Sequence, residues 1–204
     1  MSERASARAE MQERILRTID RLFYEQGIRA VGVDTVAAEV GISKRTLYNY
    51  YPSKDGLIVA YLARRLRPLP FTDAPPATQI LECFDRLERS FASARFRGCP
   101  FVNAVAELKE PKHEANRIAV AFKDERRAWF RRLLEQLDVA DPAGLAVQLA
   151  LLVDGAIAAA VVRGDPTVAR AARTAAATLL GAAGVAGDGV GAAVRRKKAR
   201  RRAG

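Results

Sequence analysis

One histidine and two cysteines are the whole stock of imidazole and thiol in this chain of 204 residues. His113, Cys83 and Cys99 make no standard zinc or copper spacing, so the sequence offers no metal centre. Two cysteines among helical patterns also fail to form the disulfide framework of a small secreted domain. The polar N-terminus lacks a signal-peptide core, and no uninterrupted apolar run reaches membrane-spanning length. These absences predict a cytoplasmic protein with reduced thiols and no membrane partner. There is no nucleophile–base constellation, no phosphate-cradling glycine loop and no metal signature, so neither an enzyme nor a cofactor is expected. No strand pattern appears anywhere, and the expected fold class is all-α.

What the chain does have is basic charge, unevenly placed. The net charge is +11. Residues 1–67 hold twelve basic and eight acidic groups, and residues 68–184 hold fifteen and fourteen. The last twenty carry seven basic groups against Asp188 alone. A nearly neutral body with basic ends suits a nucleic-acid binder that carries a separate ligand or dimer domain.

Periodicity gives the helices. A first helix spans about 8–26, with Met11, Ile15, Ile19, Leu22 and Phe23 on one face and Gly27 as its stop. Another covers about 54–66. The segment RPLPFTDAPP then breaks the chain with four prolines and marks a junction. Helices follow over about 78–94, 101–109 and 113–137. Asp141-Pro142 and Asp165-Pro166 each place a capping acid before a first-turn proline, announcing two small-residue helices over about 142–163 and 166–181.

The most informative stretch is TVAAEVGISKRTLYNYYPSKDGL, residues 35–57. An apolar helix through Val36, Ala37 and Val40 ends at Gly41, which closes a helix left-handed without a Cβ penalty. Ser43 is placed to cap a second helix carrying Lys44, Arg45, Thr46, Tyr48, Asn49 and Tyr50. Pro52 stops that helix, and Ser53 can cap the next. Two helices joined by a tight glycine turn make a helix-turn-helix, whose second member fits a DNA major groove. There Lys and Arg can read guanine and Asn can read adenine.

From about Glu10 to Leu57 the chain resembles the DNA-binding domain of the TetR family of transcriptional regulators. The resemblance rests on Phe23, Gly27, Val36-Ala37, Gly41, Ser43-Lys44, Thr46-Leu47-Tyr48, Pro52-Ser53-Lys54 and Leu57. It implies an all-helical homodimer on a palindromic operator, usually a repressor, released from DNA by a small molecule. It implies a helix-turn-helix domain over 8–53 and an effector and dimerisation domain over 54–184, and the composition adds a basic tail over 185–204. Lys44, Arg45, Thr46 and Asn49 become candidate base or groove contacts, and Ser43, the cap of the reading helix, is a candidate DNA-binding residue with them. Tyr48, Tyr50 and Lys54 become candidate backbone contacts. Three positions depart from the family pattern. Gly32 stands where a capping Thr or Ser is usual, Tyr50 where His is common, and Asp34 where some members are basic or polar.

The late apolar helices, about 142–163 and 166–181, resemble the family's dimerisation pair, two from each subunit forming a four-helix bundle. In this family the preceding helices enclose the effector. Candidate lining groups are Cys83, Phe84, Leu87, Phe91, Phe101, Asn103, Phe122 and Trp129, with His113 if it turns inward. Such walls favour an apolar or aromatic compound, although aromatics at helical spacing more often form a plain core. Cys99 beside Arg97 is either a redox-sensitive thiol or a buried small hydrophobe. Residues 195–202 contain seven Lys or Arg in eight, and the Gly-rich tail holding them is expected to be disordered in isolation. The run is either a sequence-independent DNA anchor or a solvated tail. A non-specific DNA-coating protein driven by that tail is the alternative function.

Overall fold

In the computed structural model the described residues are 3–185, so the basic run 195–202 lies outside them. The described residues form helices and turns: α1 (Glu3–Gln26), α2 (Val33–Val40), α3 (Lys44–Tyr50), α4 (Lys54–Arg65), α5 (Pro76–Phe91), α6 (Pro100–Leu108), α7 (Glu114–Glu135), α8 (Pro142–Arg163) and α9 (Val168–Ala182). No strand occurs among them. The fold is all-α with an N-terminal helix-turn-helix domain.

The described chain divides into two compact units. The first holds the stretch up to Arg67 together with Cys99–Phe122; the second holds Pro68–Gly98 and the stretch from Lys123 onward. In the first unit most of the predicted apolar face of α1 is buried: Ile15, Ile19, Leu22 and Phe23 are at most 3% exposed, while Met11 is half-buried. Phe23 meets Tyr61 of α4 edge to face, 5.7 Å between ring centres. Two ion pairs strap α4 to α1. Arg64 donates two bonds of 2.8 Å to Glu13, and Arg65 holds Asp20 at 2.6 and 3.0 Å. The Arg64 bond holds the Glu13 carboxyl below its usual range. Bidentate guanidinium–carboxylate pairs fix orientation as well as contact.

The second unit packs α5, α8 and α9 together. Phe84, Trp129, Phe130, Leu133, Leu149, Val153, Ala176 and Leu180 are buried in one core. The proline-rich segment before α5 is pinned rather than loose. The buried Gln79 amide bonds Thr72 and Ala74, and the Trp129 indole N–H donates to the Pro70 carbonyl at 3.2 Å. α5 begins at Pro76, two residues before the expected Thr78, because the Pro75-Pro76 pair supplies a ready first turn.

The two acid–proline signals part company. Asp141 caps α8, accepting from the Gly144 N–H at 2.8 Å. Asp165 instead closes a local turn, accepting from the N–H and hydroxyl of Thr167, and α9 starts only at Val168. An Asp side chain that bonds two residues ahead forms a turn in place of a helix cap.

By length and composition α8 is apolar enough to cross a membrane, although no unbroken apolar run does so. Its midpoint Asp154 is bonded by both Lys123 and the buried Arg126. A carboxylate anchored there to two α7 cations suits a protein-packed helix.

Candidate nucleic-acid interface

The reading head is built from local chemistry. α2 ends at Gly41 with φ +77° and ψ +38°, whose N–H bonds the carbonyls of Ala37 and Ala38, while the Ile42 N–H bonds Ala37. This left-handed closure satisfies carbonyls that the helix end would otherwise leave open. Arg14 of α1 donates to the Val40 carbonyl at 2.6 Å, placing a cation at the negative end of α2. Ser43 then caps α3, accepting from the Thr46 N–H at 3.0 Å, and Ser53 caps α4 through the Gly56 N–H at 3.0 Å. Between the caps, Tyr51 is extended before Pro52, which ends the helix.

This geometry sorts the α3 side chains. Leu47 is fully buried and anchors the helix, while Lys44, Arg45, Tyr48 and Asn49 are exposed on the outer side. Thr46 is half-buried, its hydroxyl 2.8 Å from the Ser43 hydroxyl, so the cap already engages that hydroxyl. Tyr50 is half-buried, and the Arg8 guanidinium lies over its ring, 4.9 Å from the centre. Lys54 occupies the first turn of α4, at a helix N-terminus suited to a phosphate. Gly32 takes the cap position of α2 with no side-chain bond.

Two features of this surface escape sequence reading. Arg8 becomes relevant because α1 begins at Glu3, and its partner Tyr50 lies forty-two positions away. The Lys44 ammonium donates to Asp34 of α2 at 3.0 Å, and this bond holds the lysine above its usual pKa range. Asp34 therefore occupies Lys44 and adds negative charge beside the exposed side of α3. Asp34→Asn is expected to tighten DNA binding severalfold and steepen the salt dependence, because it frees the Lys44 ammonium for the groove and removes a negative charge beside it. Anisotropy titrations across a salt series check this, and an unchanged slope would show that Lys44 already leaves Asp34 on binding.

The effector candidates fall in both units. Cys83, Phe84 and Trp129 belong to the second unit's core, with Leu87 packed against it. Burial pushes the Cys83 thiol up, so it stays a neutral thiol. Phe91 meets Phe96 at a tilt of 46°, 4.8 Å between centres, on the wall of a cavity of about 620 Å³ with Arg97, Ala160, Val161 and Pro166. Phe101 and Phe122 stack in the first unit at 4.0 Å, and Asn103 lies on the same helix as Phe101. The His113 side chain does turn inward, 8% exposed, its Nδ1 accepting the Ala115 N–H. Cys99 is buried.

A capped recognition helix presenting Arg and Asn outward defines a helix-turn-helix DNA-binding protein. Residues 15–61 match the family model of bacterial regulatory proteins of the tetR family. A TetR transcriptional regulator from Streptomyces avermitilis shares 33% identity at a TM-score of 0.76, with 86% of this chain and 99% of that one aligned. A TetR-family transcriptional regulator from Streptomyces coelicolor shares 30% at a TM-score of 0.77, over 86% and 96% of the two chains. The HTH-type transcriptional regulator YjdC of Escherichia coli is 27% identical over 154 residues, 72% of this chain and 81% of that protein. The chain belongs to the TetR family and is a DNA-binding transcriptional regulator.

Proposed function

We propose that the protein is a cytoplasmic, ligand-released repressor that binds a palindromic operator as a homodimer. The observation that carries this reading is α3: anchored by Leu47, capped by Ser43, and presenting Arg45 and Asn49 to solvent. Lys44, Arg45, Thr46 and Asn49 read base edges, while Tyr48, Tyr50 and Lys54 hold phosphates. Residues 8–53 carry the reading role and 54–184 the effector and dimerisation role, a division by function that crosses the two compact units, since 54–67 and 99–122 group with the N-terminal helices.

Dimerisation is supported by the uncovered side of α8. Leu151 is 64% exposed, Val161 52% and Val162 85%, and Gly155 leaves open space where a Cβ would stand. Bulky apolar groups beside small ones allow a second helix to approach closely. A dimer also sets two recognition helices about one DNA turn apart, the separation that paired half-sites require. The effector is an apolar or aromatic compound, bound with unequal affinity by the DNA-competent and released states. Footprinting on DNA flanking the gene tests the whole reading. Two protected half-sites in inverted repeat, lost on adding a compound from an apolar and aromatic library, are expected. A single unpaired footprint would contradict the dimeric palindrome, and protection that no compound relieves would contradict ligand release.

A further inference from the structure

The turn between α1 and α2 is closed from a distant part of the chain. Gly27 stops α1 at φ +93°, and the backbone passes through Ile28, Arg29 and Ala30 before Gly32 opens α2. The Glu107 carboxylate, in the last turn of α6, accepts the Arg29 backbone N–H at 2.9 Å. It also covers Gly27, where a Cβ would meet Oε2 at 3.0 Å and Oε1 at 3.3 Å. A turn amide needs an acceptor, and a charged one binds more strongly than a neutral one. Here the acceptor comes from 78 residues further along.

The turn is not an idle place to hold. It sets where α2 starts, and α2 leads directly through the rigid Gly41 closure into α3. Arg14 and Arg21 of α1 fix the far end of α2, through the Val40 carbonyl and Glu39. Glu107 fixes the near end. The corner between α6 and α7 also approaches α4, with His113 Nε2 3.6 Å from Asp55 in its first turn. Cys99–Phe122 accordingly groups with the N-terminal helices as one compact unit.

We propose that Glu107 is a positioning residue for DNA recognition: its carboxylate sets the α1–α2 turn, so that α6 dictates the placement of α2 and α3. This rests on the reading of the protein as an operator binder. A shift of α6 that withdraws Glu107 loosens the start of α2 and misplaces the recognition helix without touching any DNA-contacting group.

The test uses the full chain and a duplex enriched from a random library by the wild-type protein. Glu107→Ala removes the acceptor, whereas Glu107→Gln keeps an oxygen for the Arg29 amide. Glu107→Ala is expected to bind the enriched duplex about tenfold more weakly, the scale of one lost charge-assisted bond. Amide exchange at Arg29 and along α2 should accelerate in the same variant, and Glu107→Gln should return both measures most of the way to wild type. Wild-type exchange in Glu107→Ala would overturn the proposal, as would faster exchange with undiminished affinity. If the library yields no enriched sequence, operator reading itself fails, and wild-type exchange at Arg29 and α2 would still refute the Glu107 contact.

Discussion

Replacing Arg45 and Asn49 together by alanine should reduce specific operator affinity at least about thirtyfold, since each good side-chain–base contact contributes roughly 1–3 kcal/mol. Both residues are exposed on a helix whose buried anchor, Leu47, and cap, Ser43, the substitutions leave alone. Thermal unfolding should therefore stay close to wild type, which separates lost recognition from lost folding. The single variants should differ in kind from a change at Lys54. A missing base contact relaxes specificity at one operator position, whereas a missing phosphate contact weakens all sequences alike and flattens the salt dependence. Anisotropy on wild-type and point-changed operators reads both. Equal losses on every sequence would assign Arg45 and Asn49 to the backbone.

Leu151→Glu should have a comparable effect from a remote position. Leu151 is 64% exposed on α8, so the substitution disturbs no described core packing and the protomer should fold. In a helix–helix interface, however, a carboxylate facing its own symmetry copy is both desolvated and repelled. Sedimentation should show a monomer. Operator affinity should fall roughly a thousandfold, towards the non-specific level, because a monomer holds only one half-site. A variant that remains dimeric would place the interface on another surface.

The sequence signals that held were those with local physics. Gly41, Ser43, Pro52 and Ser53 act within four residues of themselves, and each closes or caps a helix where its chemistry predicts. The α1 periodicity was equally legible, since a buried stripe shows itself in every turn. Asp165 misled because an acid before proline suits either a helix cap or a tight turn, and the following Thr167 hydroxyl favours the turn. What stayed illegible was contact between distant positions. Asp34 with Lys44, Arg8 with Tyr50 and Glu107 with Arg29 are joined by the fold, and no spacing rule connects them. The aromatic groups were visible as a set, but periodicity alone could not assign Trp129 to the second unit's core and Phe101 to a stack with Phe122.

Sequence-specific binding is the central claim, and competition tests it most directly. The wild-type protein is titrated by anisotropy onto DNA flanking its own gene, with excess unrelated duplex present and the Arg45→Ala, Asn49→Ala double variant in parallel. The account predicts binding that survives the competitor in the wild type and collapses in the variant. Equal binding by both proteins, removed by competitor or salt alone, would contradict it and point to a non-specific DNA-coating protein whose basic tail supplies the affinity.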